Sequence, residues 1–214
     1  VAALSVRVSL PFALALGWLL ARLRGRASLL VQGLVMLPLV LPPVVTGYLL
    51  LALLGRGGPL GAAWEALTGG RIAYTTGACD LAAAVEGFPL MVEGVRLAVL
   101  GVDPRLEAVS RSLGRTRLDT FRRVTLPLAL PGVLGGAVLA FARALGEFGA
   151  TIVLAGDVPG ETRTIPVAVF TAMSRPGGED VVTRLVVVSC SVSLGALVLA
   201  TVLARRQRAR RGVA

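Results

Sequence analysis

The sequence predicts an all-α membrane protein, and its composition is the first observation behind that prediction. Of 214 residues, 55% are hydrophobic and only 16% are charged, with a mean hydropathy of +0.81. A soluble domain has about 45–50% apolar and about 25% charged residues. The apolar residues also gather into stretches long enough to cross a bilayer, which takes roughly 20 residues each. An ordinary soluble fold and a disordered chain are therefore both excluded.

Five stretches are predicted to span the membrane within a single domain that covers residues 1–214. They lie at about residues 1–21, 29–54, 77–100, 128–154 and 181–204. A re-entrant element at about residues 164–173 would add a sixth, so five and six remain alternatives. Val1 already lies in an apolar stretch without a basic segment before it. We therefore expect no signal peptide, and either a fragment or a start codon read as Val.

Arginine sets the predicted orientation, since it supplies every basic residue of a chain with a net charge of +10. Three arginine-rich segments, at residues 22–26, 105–123 and 205–211, follow the first, third and fifth stretches. The positive-inside rule places all three in the cytoplasm, with the C-terminus inside and the N-terminus outside. The tail at 205–211 is predicted to anchor on anionic lipid, and no nucleic-acid partner is expected.

The residue types argue against catalysis and against a metal site. The chain has no His, the commonest general base and metal ligand. Cys79 and Cys190 are isolated, so their spacing indicates neither a disulfide framework nor a zinc site. We expect no catalytic residue and no metal ligand.

Residues 101–126 are predicted to form a compact cytoplasmic helix-turn-helix. Asp103 suits a helix cap, Pro104 suits the first turn, and Gly114 suits the end of the helix. One face of this short helix would carry Leu106, Val109, Ser110 and Leu113. Such an amphipathic helix lies on lipid or docks into a partner's groove.

The spacing after Gly114 favours docking. Nine residues separate Gly114 from Val124, and Leu126-Pro127 follows one residue later. This resembles the coupling loop of ABC importer permeases, which runs Glu-Ala-Ala, three residues, Gly, nine residues, an aliphatic, one residue and Leu-Pro. Aligned on Gly114, the Glu stands one position early, at Glu107. The resemblance implies an ATPase-coupling set of Glu107, Ala108, Val109, Ser110, Gly114, Val124, Leu126 and Pro127.

The resemblance extends over nearly the whole chain. Residues 37–45, 87–92 and 142–151 resemble the sulfate/molybdate branch of these permeases, and residues 160–166 and 175–179 resemble the molybdate/tungstate permease in particular. It implies the ABC type I importer permease fold in a bacterial or archaeal cell (inner) membrane. It also implies a homodimer in lipid, cytoplasmic ABC ATPase subunits that hold ATP and Mg²⁺, and an extracytoplasmic molybdate-binding protein.

Two other functions remain as alternatives. A sulfate or thiosulfate permease would share residues 145–150, although residues 160–166 argue against it. A proton-driven secondary transporter would use acids within the membrane as relays. The coupling loop argues against that mechanism.

Charged residues and helix breaks supply the candidates for the transport pathway. Proline in the second stretch predicts a break, which either only kinks the helix or lines the pathway. Arg143 and Glu147 are predicted to pair at i, i+4, as a gate or as a structural pair. The pathway and gate candidates are Pro42, Pro43, Thr46, Arg143, Glu147, Gly149 and Thr151.

The third stretch holds Asp80, Glu86, Glu93 and Arg96. Glu93 and Arg96 lie three residues apart and are expected to pair. Acids that line a pathway would repel an oxyanion. Glu86 and Glu93 are therefore expected to point away from the pathway or to lie near its ends.

Overall fold

The computed structural model describes residues 1–210, with side chains for residues 1–198, 201 and 202. These residues form helices and connecting segments, without a strand in the described range. The elements are α1 (Ala2–Arg22), α2 (Arg26–Val40), α3 (Pro43–Leu54), α4 (Pro59–Thr68), α5 (Thr76–Leu100), α6 (Pro104–Ser112), α7 (Arg117–Thr120), a π-helical turn (Phe121–Thr125), α8 (Leu126–Leu145), α9 (Gly149–Leu154), α10 (Ile165–Met173) and α11 (Glu179–Arg210). The predicted lipid anchor at residues 205–211 lies outside the residues whose side chains are described.

The α5 helix forms the centre of the bundle, with α1 and α8 packed along it. Small residues allow the close approach of α5 and α8. A Cβ added at Gly94 would lie 2.6 Å from the Cα of Gly136, and one added at Gly132 would lie 2.6 Å from the Cβ of Ala98. Glycine and alanine at such contacts let helix backbones pack closely within a membrane.

Three helical segments are long and apolar enough to cross a membrane: α1, the continuous run from Arg117 to Leu145, and α11 as far as Val198. The pair α2 and α3, bent by 109°, makes a fourth if it counts as one span. The 25-residue α5 is also long enough, but it contains four charged residues, so composition alone does not single it out.

The predicted proline break in the second span, at 29–54, is confirmed, and the span consists of two helices bent by 109°. Helix α2 ends before Leu41, and α3 begins after Pro42, with both connecting residues in extended conformations. Pro43 stands in the first turn of α3, where its missing N–H costs nothing. Pro38 is accommodated inside α2, so the break lies at the Pro42-Pro43 pair.

The prediction of a fourth span at 128–154 needs correction. Helix α8 ends at Leu145, and residues 149–154 form the separate helix α9. The carboxylate of Glu147 accepts the N–H of Ala150 at 2.7 Å, which satisfies the first turn of α9 at the break. The predicted element at 164–173 is α10, whose nine residues rise only about 14 Å and do not cross a bilayer of about 30 Å.

The outer surface of the bundle is apolar. Helix α2 has no buried residue, and the apolar window of α11 is 0% buried. Leu29, Leu30 and Leu34 on α2 are each more than 70% exposed. An apolar surface of this extent is covered by lipid or by another protein subunit.

Candidate functional site

The loop at 101–126 is ordered by caps at both ends of α6. The Asp103 side chain accepts the N–H of Arg105 at 2.9 Å, which confirms the predicted cap. At the other end, Gly114 has φ +81°. The N–H of Gly114 bonds to the carbonyl of Arg111, and the N–H of Arg115 bonds to that of Ser110. This is a Schellman ending, which requires the left-handed backbone that glycine adopts without strain.

The carboxylate of Glu107 faces the bundle. It accepts hydrogen bonds from the guanidinium of Arg22, at the end of α1, and from the hydroxyl of Thr125 at 2.5 Å. Ser110, one turn along α6, is buried and shares a 3.1 Å hydrogen bond with Thr120. Glu107 therefore joins the loop helix to α1 and to the start of α8.

The opposite face of α6 is apolar and open. The side chains of Leu106, Val109 and Leu113 are 48%, 57% and 74% exposed. They border a groove of about 480 Å³, named here the loop groove. Its lining consists of Leu106, Val109, Ser110, Leu113, Arg115, Arg123, Val124, Pro127 and Leu128. Ser110, predicted on this face, lines the groove but is turned inward.

The remaining predicted coupling residues lie on α6 or where α8 begins. Ala108 is exposed on α6, whereas Val124, Leu126 and Pro127 are half-buried where α8 begins. The π-helical turn at 121–125 connects α7 to α8 without a break. A π-turn inserts an extra residue into a helix and so changes which side chains face inward. It ends at Thr125, the residue that bonds Glu107.

The two broken spans meet inside the bundle. Helix α3 packs against α9, and glycines allow the contact. A Cβ at Gly149 would lie 2.8 Å from the Cβ of Pro43, and one at Gly47 would lie 2.7 Å from the Cα of Ala150. Pro43 and Gly149, predicted as pathway candidates, are therefore neighbours. Pro42 is exposed at the break, and Thr151 is buried within α9.

A buried ion cluster lies beside this contact; it comprises Glu86, Arg143 and Glu147 and is named here the central cluster. Arg143 pairs with Glu147 at 2.6 Å, which confirms the predicted i, i+4 pair, and it also pairs with Glu86. The side chains of Glu86 and Glu147 are 0% and 2% exposed. Glu86 lies in the middle of α5 and binds Arg143, and its expected position relative to the pathway stays a prediction.

The central cluster is incompletely satisfied. One oxygen of Glu86 and the hydroxyl of Thr46 are buried without a hydrogen-bond partner among the described residues. The Thr46 hydroxyl, on α3, lies close to the Glu86 carboxylate without reaching hydrogen-bond geometry. Buried polar atoms are normally paired, because an unpaired one costs about 1–3 kcal/mol. The cluster also places two carboxylates against one guanidinium.

Two further ion pairs lie away from this cluster. Glu93 and Arg96 pair at 2.7 Å, as predicted. In the loop after α9, the carboxylate of Asp157 accepts bonds from Arg163 at 2.5 Å and from the hydroxyl of Thr171 at 2.7 Å. These two bonds hold the pKa of Asp157 below its usual range, and the bond from Arg163 contributes most.

Some residues of these sites were missed from the sequence. Arg22 was interpreted only as a topology charge, and Thr120 and Thr125 carried no motif. Nothing local indicates that Arg22, 85 residues before Glu107, pairs with it. Nothing local indicates that Glu86, 57 residues before Arg143, pairs with it.

Comparisons with known proteins identify relatives over nearly the whole length. The sequence profile of the family described as "binding-protein-dependent transport system inner membrane component" matches residues 13–209. The chain is 48% identical to the molybdenum transport system permease protein ModB of Escherichia coli K12, over 99% of this chain and 93% of that protein. It is 42% identical to ModB of Haemophilus influenzae over the same shares, and 43% identical to ModB of Mycobacterium tuberculosis H37Rv over 90% and 72%.

Solved structures show the same fold. The inward-facing MetNI methionine ABC transporter aligns with a TM-score of 0.76 at 17% identity, over 96% of this chain and 90% of that chain. A bacterial ABC transporter for alginate import aligns with a TM-score of 0.74 at 18% identity, over 96% and 75%. The predicted ABC type I permease fold is confirmed.

Proposed function

The chain belongs to the family of binding-protein-dependent transport system inner membrane components, and we propose that it is the membrane-spanning permease subunit of an ABC importer for molybdate or tungstate. Its similarity to permeases named for molybdenum transport, over nearly its full length, carries this proposal. The ordered loop helix and the central cluster supply the parts that such a subunit needs.

ATP is hydrolysed on other subunits in this proposal. The chain contains no lysine and therefore no Gly-Lys-Ser/Thr phosphate loop. ATP and Mg²⁺ then belong to cytoplasmic ABC ATPase subunits, and this subunit binds no cofactor and is not itself an enzyme. An extracytoplasmic binding protein delivers the oxyanion, and a second copy of the chain completes the pathway. The arginine distribution places the loop at 101–126 and the C-terminus in the cytoplasm of a cell-membrane protein.

The loop groove is the docking surface for the ATPase in this scheme. Leu106, Val109 and Leu113 present an apolar face with Arg115 and Arg123 at its edge. An amphipathic helix that docks into the hydrophobic groove of a partner protein presents such an apolar face. Glu107 does not contact the ATPase but holds α6 to the bundle, because its carboxylate is turned inward.

Helix α8 carries the movement across the membrane. It begins beside Thr125, which bonds Glu107, and ends at Leu145, two residues beyond Arg143. Its 20 residues span about 30 Å as a rigid element. A shift of α6 on nucleotide binding therefore reaches the central cluster and the contact between α3 and α9. Alternation between inward- and outward-facing states follows if these broken spans separate.

The substrate is tested by uptake into proteoliposomes that contain the permease, its ATPase and its binding protein. We expect ATP-dependent uptake of labelled molybdate that tungstate blocks and that equimolar sulfate leaves unchanged. Equal competition by sulfate would reverse the oxyanion assignment. Collapse of uptake by an uncoupler at constant ATP would instead identify a proton-driven transporter.

A further inference from the structure

A cavity separate from the loop groove lies between α1, α6 and α7, and it is named here the basic cavity. Its volume is about 400 Å³. Three of its lining residues are arginines, Arg22, Arg111 and Arg117, and three are apolar, Trp18, Leu19 and Phe121. Glu107 also lines the cavity, but none of these six residues belongs to the coupling or pathway sets predicted from the sequence.

The rim of the basic cavity carries uncompensated positive charge. Arg22 is neutralised by Glu107, the one acid of the lining. Arg111 and Arg117 are exposed and take part in no ion pair among residues with described side chains. Three arginines and one glutamate leave a net charge of +2. The guanidinium group is suited to bidentate binding of phosphate.

The opposite wall of the basic cavity is apolar and belongs to the membrane-spanning part. Trp18 and Phe121 pack edge to face with their centroids 5.7 Å apart, and Leu19 is 44% exposed. Tryptophan concentrates where a bilayer meets water. A cavity with an apolar wall on a spanning helix and a basic rim on the adjoining loop fits an anionic amphiphile rather than a free ion.

The basic cavity and the loop groove lie on different sides of α6. Successive residues of a helix are separated by about 100°. Glu107 and Arg111, one turn apart, therefore lie on a different side of α6 from Leu106 and Leu113. The two surfaces of one short helix are thus available to two different ligands.

We infer that the basic cavity binds the phosphate headgroup of an anionic phospholipid in the cytoplasmic leaflet, with Arg111 and Arg117 on the phosphate and Trp18 against the glycerol and upper acyl chain. The choice of leaflet rests on the orientation in the proposed function. Basic pockets between spanning helices on the cytoplasmic side bind such headgroups. The bound lipid would hold α6 against α1 alongside the Glu107 to Arg22 pair.

Tryptophan fluorescence tests this directly, because the chain has only two tryptophans. In a Trp64→Phe background, Trp18 is the sole reporter. The full chain is placed in nanodiscs of phosphatidylcholine that contain either brominated phosphatidylglycerol or brominated phosphatidylcholine at equal mole fraction. We expect stronger quenching by the brominated phosphatidylglycerol. Arg111→Gln/Arg117→Gln should remove that preference, a loss of up to about 25-fold in affinity at about fivefold per arginine.

The matched control removes the same charge nearby. Arg24→Gln/Arg26→Gln alters two exposed arginines outside the cavity and should leave the preference intact. Equal loss in both double variants would show diffuse surface attraction and overturn the site. Equal quenching by the two brominated lipids in the Trp64→Phe parent would also overturn the site. Release by inorganic phosphate at constant ionic strength would show a free-anion site instead. Since both leaflets of the nanodisc are alike, none of these results depends on orientation or on transport.

Discussion

The ion clusters at the two ends of α8 differ in how completely they are satisfied. At the start of α8, the single carboxylate of Glu107 has two donors, Arg22 and Thr125. At the far end, two carboxylates share Arg143, and buried oxygens of Glu86 and Thr46 lack hydrogen-bond partners among the described residues. A satisfied buried network gives rigidity, whereas an incompletely satisfied one is poorly stabilised in one arrangement. The first end is thus suited to transmit force, and the second is suited to change state.

Removal of Arg143 should have the largest effect. Arg143→Gln leaves Glu86 and Glu147 as two adjacent buried acids without a counter-ion, and breaking a buried pair in this way costs about 3–5 kcal/mol. We expect loss of folded protein, measured by fluorescence size exclusion and thermal unfolding in detergent. The double variant Arg143→Gln/Glu86→Gln should recover part of that loss. No recovery would argue that Arg143 matters through packing rather than through the two carboxylates.

Disruption of the Glu107 pair should have a smaller effect, because the Arg22 side chain is 38% exposed and water can partly replace its partner. Glu107→Gln and Arg22→Gln should each reduce the free energy of unfolding by about 1–3 kcal/mol. A double-mutant cycle on thermal unfolding should show that the two losses are not additive. Additive losses would mean that the contact does not couple the two residues energetically.

Substitution of Gly114 tests the shape of the loop alone. In the part of the chain that the structure describes, no group other than its own chain neighbours lies within 4 Å of a Cβ added at Gly114. The cost of Gly114→Val is therefore conformational, about 1–2 kcal/mol for a left-handed residue. We expect the variant to insert but to hydrolyse ATP without molybdate uptake. Gly114→Asn should retain more coupling, because Asn tolerates this backbone. Equal coupling in both variants, at the parent level, would argue against the docking role.

Loss of the Asp157 to Arg163 pair should have the smallest effect on stability, and that effect should depend on pH. The pKa of Asp157 is lowered in the fold, so the pair stabilises the protein above the usual aspartate pKa of about 3.9. This stabilisation disappears as the pH falls through the folded pKa. Asp157→Asn should reduce the free energy of unfolding by less than about 1 kcal/mol at neutral pH, with a slightly lower unfolding temperature, and should have no such effect at acidic pH. A difference that persists in acid would assign the effect to packing.

Local features could be predicted from the sequence, and contacts between distant residues could not. The cap at Asp103, the end at Gly114 and the Arg143 to Glu147 pair depend on residues within one turn of helix. The break at 146–148 falls at Gly146 and Glu147, but the apolar residues on both sides of it predicted one continuous span. Nor does any periodicity show that Glu86 faces Arg143, since that pairing depends on how α5 packs against α8.

The loop at 101–126 shows the same limit of prediction from the sequence. Its helix could be predicted from composition and spacing, but the direction of its Glu could not. The π-turn at 121–125 places Thr125 against Glu107, and an inserted residue of this kind leaves no sequence pattern. The exposed side chains that border the loop groove, Leu106, Val109 and Leu113, belong instead to the predicted apolar stripe.

The ratio of ATP hydrolysed to molybdate imported, measured in proteoliposomes with the ATPase and the binding protein present, tests the central claim most directly. In Glu107→Gln, α6 retains its exposed apolar face, but its ion pair with Arg22 of α1 is replaced by a weaker hydrogen bond between neutral amide and guanidinium. We predict that the ATPase still binds and hydrolyses ATP, while uptake falls and the ratio rises well above that of the parent. A parental ratio in a variant shown to bind the ATPase would contradict the claim that Glu107 transmits the movement.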